Sequence, residues 1–271
     1  MPSRLYDAHN HLQDERLTPY HEAILSDVRR QGVARMVVNG SCEDDWPNVL
    51  ALARACPEVI PSFGYHPWYV KERSGDWQAT LVRHLDAVPS AIGEVGLDRL
   101  IKDHDPEEQE RVFVWQLRLA AERDLPVSIH CLQAWGRLLE ILRAEPRPRC
   151  GFLLHSYGGP TEMIAPLAEL GAYFSFPGYF AHERKTRQRE TFRSVPPDRL
   201  LIETDAPDQL LPNELARFPL AAAGSGKPLN HPANLGVVYE FMAGLRSEPL
   251  ERLARRVEEN FQRLFGPLAA R

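Results

Sequence analysis

The chain has 271 residues, 44% of them hydrophobic, and a formal net charge of −5. That length and apolar share fit one α/β barrel of about 250 residues around a large core. No apolar run approaches the roughly 20 residues that span a bilayer, and the negative charge argues against a protein that coats duplex DNA by displacing counterions. A nucleic-acid substrate would instead be engaged locally, at ends or short single strands, with metal ions supplying positive charge. The opening Met1-Pro2-Ser3-Arg4 runs straight into Leu5 and Tyr6, which leaves no room for a signal peptide and makes the cytoplasm the expected compartment. Cys42, Cys56, Cys131 and Cys150 form no C-x-x-C pair, so they read as buried thiols rather than a zinc knuckle or a redox dithiol.

Short apolar runs alternate with longer stretches of helical spacing. The runs predict strands over 4–8, 34–39, 59–64, 89–93 (with Pro89 left out, 90–93), 126–130, 150–154, 171–176 and 199–203. Several are apolar nearly throughout, as in parallel strands covered on both faces. The clearest helix carries Val112, Trp115, Leu117, Leu119 and Ala120. Residues 206–234, rich in Pro, Gly and Asn, predict a long loop near the strand ends. Helices near 235–246 and 248–264 follow, and no second domain is indicated. Eight such units suit either an open doubly wound sheet or a closed (β/α)8 barrel of the TIM type. Histidines and carboxylates end strands one, four, five, six and eight. Only closure gathers those ends at one mouth, so the barrel is the expected architecture.

The first strand ends in Asp7-Ala8-His9-Asn10-His11. Alternate residues of an extended chain share a face, so His9 and His11 form half of a site for a divalent transition metal. Strand four ends in Glu94, five in His130, six in His155 and eight in Glu203-Thr204-Asp205. Each is a metal ligand or a general acid/base, and each follows a short apolar run. Four imidazoles and two carboxylates suit zinc, manganese or iron better than calcium. Magnesium prefers oxygen ligands but can serve in an assay. His9, His11, Glu94, His130, His155 and Asp205 are too many for one four-coordinate zinc. They imply two divalent ions bridged by Glu94 and a hydroxide. Asp7 either hydrogen-bonds a ligating histidine or fixes the strand end; Glu203 is expected on the side of Asp205, beneath the ligands. Trp68 and Tyr179 are candidates for stacking on bases or for plain packing. His21, His84, His104 and His182 are expected to face solvent, as is the run from Arg184 through Lys185 and Arg187 to Arg189. Asn230, His231 and Asn234 are placed in the mouth loop.

Together with Gly64-Tyr65-His66-Pro67, Gly93 to Asp98, the Gln109, Phe113, Gln116, Leu117 helix, Leu125 to His130, His155 to Gly159, Glu203 to Pro207, Asn230 to Leu235 and Glu259 to Phe265, these residues resemble the TatD family of metal-dependent deoxyribonucleases over nearly the whole chain. The resemblance implies a TIM-type barrel and phosphodiester hydrolysis, with single-stranded 3′ ends as substrate. It implies that His9, His11, Glu94 and Asp205 hold one ion and that Glu94, His130 and His155 hold the other. Asp205 would orient or deprotonate the attacking water, and His66 would meet substrate phosphate at the mouth. The chain departs from the family's common pattern at Asp208, at Ser156-Tyr157 and in the length of the stretch to Asn230, all around the substrate rather than on the ligands. The alternatives are a metal-dependent ester or amide hydrolase, such as an aminoacyl-ester deacylase, and a metal-binding protein without turnover.

Overall fold

The computed structural model describes residues 4–103 and 105–269, with the side chain of residue 269 left aside. The expectations for the first three residues and for His104 therefore lie outside the described residues. Eight parallel strands run in sequence order: β1 (Leu5–Asn10), β2 (Val33–Asn39), β3 (Val59–Phe63), β4 (Ala91–Asp98), β5 (Val127–Leu132), β6 (Phe152–Leu154), β7 (Ala172–Pro177) and β8 (Leu200–Glu203). Between and after them lie α1 (His21–Arg30), α2 (Trp46–Ala55), α3 (Trp77–Ala87), α4 (Pro106–Arg123), α5 (Trp135–Ala144), α6 (Ile164–Glu169), α7 (Thr186–Arg193), α8 (Leu235–Leu245) and α9 (Leu250–Ala269). This is a TIM-type barrel. Its strands are buried along nearly their whole length, which is why they read as continuous apolar runs rather than as alternation. Among the described residues no helix is long and apolar enough to cross a membrane.

Closure happens just beyond the last strand. Asp205 N–H donates to His9 O at 3.0 Å and His11 N–H to Ala206 O at 2.7 Å. On the outside, the Tyr239 hydroxyl of α8 accepts from Tyr6 N–H (3.0 Å) and donates to Tyr6 O (2.9 Å). A buried backbone left unpaired at this seam would be costly, and these bonds satisfy it.

The helices also set the mouth. Helix α4 starts because Pro106 fits the first turn and the Asp105 carboxylate accepts from Glu108 N–H. It stops at Asp124, which takes left-handed backbone (φ 50°). Its inner face carries Gln109 and Gln116, two turns apart and both buried. Each acts as a substitute peptide. Gln116 accepts from Tyr65 N–H (2.7 Å) and donates to Tyr65 O (3.3 Å). Gln109 accepts from Asp98 N–H (3.0 Å) and donates to Asp98 O (3.0 Å). One helix face thus anchors the chain beside His66 and the end of β4.

Strand β4 differs most from expectation. It runs on to Asp98 instead of ending before Glu94, with a register shift against β5 between Ile92 and Val95. Beyond the shift Gly96 pairs with His130, and a Cβ there would lie 1.9 Å from His130 O. Only glycine permits that approach. The stretch after β8 is the expected long loop, but it contains a short hairpin of β9 (Leu220–Ala221) and β10 (Pro228–Leu229).

Candidate metal centre

The strand ends bring His9, His11, Glu94, His130, His155 and Asp205 together. His9 Nε2 and His11 Nε2 lie 3.3 Å apart. Glu94 Oε2 is 3.3 Å from the first and 3.1 Å from the second, and Asp205 Oδ1 is 3.7 and 3.6 Å away. On the other side, Glu94 Oε1 lies 3.0 Å from His130 Nδ1 and 2.8 Å from His155 Nε2, which are 3.2 Å from each other. Two donors bound tetrahedrally to one ion at about 2.1 Å are separated by about 3.4 Å. The observed spacings surround that value, and the donor types are those that bind divalent transition metals. The two oxygens of Glu94 face two separate nests of imidazoles.

Burial resists ionisation of Glu94, but the surrounding His155, His66, His9 and His11 pull its carboxyl well below the ordinary range. His9 is pushed well below its usual value, first by burial and then by His155. His11 rises to about 10: burial opposes this, and the Glu94 and Asp205 carboxylates overcome it. Asp205 takes left-handed backbone (φ 52°), which turns its carboxylate into the mouth as β8 ends. Burial pushes Asp205 up, against His155 and His11 and with help from Glu94.

Of the surrounding residues, Asp7 fixes the strand end, one of its two expected roles, Glu203 lies on the expected side of the ligands, and His66 departs from expectation. Asp7 does not reach a histidine ring. Its carboxylate accepts from Thr204 N–H (3.0 Å), the Thr204 hydroxyl (2.6 Å), Asn10 Nδ2 (3.1 Å) and His9 N–H (3.3 Å), so it locks β1 to the residue before Asp205. Glu203 lies inside the barrel under His155, 3.9 Å from Nδ1. It accepts from Ser156 N–H (2.7 Å) and the Ser156 hydroxyl (2.6 Å), and it also bonds Ser175. Burial, reinforced by Asp205, raises Glu203 to about 8. His66 is not at the rim. It is buried, with Nε2 3.2 Å from Glu94 Oε1, within ligand reach of the second nest, and burial holds it near 4.

Two residues of the site escaped the sequence reading. Asp98 Oδ2 lies 3.1 Å from His130 Nε2, so it fixes the ring with Nδ1 toward Glu94. Burial works against the Asp98 charge, but His130 and Trp68 hold the carboxyl at about 2. Asp98 was legible as the last letter of Gly93 to Asp98, but a strand ending at Glu94 left it outside. Gln209, in the mouth loop, bonds both Asp205 Oδ2 and the Ser156 hydroxyl; nothing in the loop's composition marked it.

Several residues lie elsewhere or are less exposed than expected. His21, His84 and His182 are half-buried, each bonded to a carbonyl oxygen, of Leu12, Thr80 and Leu210. His231 faces α1, its Nε2 3.5 Å from Asp27 Oδ2. Asn234 pins Arg217 and Phe218, and Asn230 donates to Thr204 O at 2.8 Å. In the basic run Arg184 and Arg187 are exposed as expected, whereas Lys185 and Arg189 are half-buried; Arg187 bonds Gly158 O and Lys185 sits 4.4 Å from the Tyr179 ring centre. Cys56 and Cys131 are buried, whereas Cys42 and Cys150 are half-buried.

The family model of TatD related DNase matches residues 6–266. The "3'-5' ssDNA/RNA exonuclease TatD" of Erwinia tasmaniensis is 34% identical over 97% of this chain and all of its own length. Its namesake from Escherichia coli K12 is also 34% identical, over 87% of this chain and 88% of its own. Among solved structures, YJJV, a TatD homologue from Escherichia coli K12, superposes with a TM-score of 0.88 at 28% identity, covering 98% of this chain and 99% of its own.

Proposed function

The chain belongs to the TatD-related DNase family of hydrolases, and on that premise we propose that it is a metal-dependent phosphodiesterase trimming single-stranded DNA or RNA from the 3′ end. The carrying observation is the division of the Glu94 carboxylate between two imidazole nests. We assign two divalent ions, zinc or manganese by donor type, with magnesium able to serve in an assay. His9, His11, Asp205 and Glu94 Oε2 would hold one; Glu94 Oε1, His130 and His155 would hold the other, with His66 in reach. Bound divalent ions bring the pKa of water toward neutrality and offset charge on a phosphodiester.

The chain's own groups then do the following. Asp205 Oδ1 faces His9 and His11, which leaves Oδ2, oriented by Gln209, to take a proton from the attacking water. His66, neutral at physiological pH, is placed to meet a phosphate oxygen beside Glu94. Glu203 stays beneath the reacting groups and holds the Ser156 turn, and so His155, in place.

The test is a single-stranded oligonucleotide labelled at its 5′ end and incubated with manganese or magnesium. A ladder shortening stepwise from the 3′ end is expected. An intact oligonucleotide in every metal, together with turnover of aminoacyl or N-acyl esters, would replace this reading with the ester or amide hydrolase; full metal loading without any turnover would leave a binding protein.

A further inference from the structure

Among the described residues only three large hydrophobic side chains are exposed: Trp68 (52%), Leu100 (55%) and Leu210. The first two are tied to one buried carboxylate. Trp68 Nε1 donates to Asp98 Oδ2 at 2.6 Å, and Leu100 N–H donates to Asp98 Oδ1 at 2.7 Å. Asp98 itself is 1% exposed and also faces His130. The indole is therefore fixed in orientation while half of it stands in water. Its ring meets His66 edge to face, with centroids 5.0 Å apart, and lies 6.5 Å from His130. An aromatic left in water forfeits burial, and holding it there rigidly removes the freedom that would offset the loss. A preformed apolar step beside a metal nest is what a planar ligand needs.

We propose that Trp68, with Leu100 at its edge, is the stacking platform for the nucleobase next to the scissile phosphate. This rests on the phosphodiesterase reading above. The indole N–H is already committed to Asp98, so the platform offers a π face and no hydrogen-bond readout; it accepts any base. The Asp98 charge behind it disfavours a phosphate at the same place, so the backbone passes over the metal nests and the base turns toward Trp68. The platform and His130 share one anchor, which keeps the stacked base in register with the ligands.

The experiment compares wild type, Trp68→Ala and Trp68→Phe on single-stranded oligonucleotides that are intact or carry an abasic residue at one of the last three positions. Trp68→Ala is expected to raise KM on the intact strand by about tenfold relative to Trp68→Phe, within the range for one stacked base, both variants having lost the bond to Asp98. Trp68→Phe, which keeps a ring and loses the bond to Asp98, should retain most of the binding. At one abasic position Trp68→Phe and Trp68→Ala should converge. If Trp68→Ala leaves KM unchanged, or if the difference persists at all three abasic positions while wild type digests the intact strand, the platform assignment falls and the phosphodiesterase reading stands. If wild type digests no oligonucleotide, both fall together.

Discussion

His9, His11 and Asp205 stand on a seam of interlocked main chain, whereas His130 and His155 stand on neighbouring strands within the sheet and take their orientation from side chains. On the seam, Asp205 N–H binds His9 O, His11 N–H binds Ala206 O, and Asp7 accepts four hydrogen bonds across β1 and the end of β8. On the other side, His130 depends on Asp98, and His155 has Glu203 only at 3.9 Å. His155 Nδ1, like His9 Nδ1 on the seam, has no hydrogen-bond partner, so the halves differ in the main chain and not in this respect. The contrast separates two costs. Damage to the seam should cost folding as well as function, because the ligands and the barrel closure share the same bonds. Damage to the His130 side should cost metal binding while the fold survives.

Glu94 is the one residue that faces both halves, and its removal should have the largest effect. Glu94→Ala is expected to lose metal from both nests and to bring turnover to background; elemental analysis that finds full loading with wild-type rate would break the bridge assignment. Next comes Asp7. Asp7→Ala leaves Thr204 N–H and the Asn10 amide without their acceptor in a buried seam, a loss of roughly 3 kcal/mol. Urea unfolding should show it, and a variant as stable as wild type would erase the contrast between the halves. Asp98→Asn should act on the other side alone. A lost partner beneath a ligating histidine typically weakens metal binding about 10- to 100-fold. Metal titration should show that drop with an almost unchanged unfolding midpoint.

The smallest effect expected is a proton count. Without metal, His11 and His130 hold protons to about pH 10 and about pH 9; burial acts against both, but Glu94 outweighs it, joined by Asp205 at His11 and by Asp98 at His130. Ligation needs the neutral nitrogen, so binding must expel these protons. His155 is raised as well, burial being outweighed by Glu94, whereas His9 and His66 lie below their usual values and contribute none. The sign follows: apparent metal affinity rises with pH through 7 to 9, with at least two protons released. Calorimetry in buffers of different ionisation enthalpy measures that number, and Asp98→Asn should reduce it. A pH-independent affinity would contradict the assignment of His11 and His130 as charged before metal arrives.

Strand positions were legible because parallel strands covered on both faces must be apolar along their length, and each expected run lies within two residues of a strand end except in β4. The six candidate ligands were legible for the same reason: a histidine or carboxylate closing an apolar run has no packing explanation. What the chain order alone determined is this barrel and the convergence of His9, His11, Glu94, His130, His155 and Asp205. Only tertiary contact decided that Asp7 closes the seam, that Asp98 orients His130, that Gln209 reaches Asp205 and that His66 sits against Glu94 instead of at the rim. Those roles are made by side chains meeting across strands and loops, over distances that no local period encodes, and a polar residue looks the same in sequence whether its partner is water, a main-chain N–H or an imidazole.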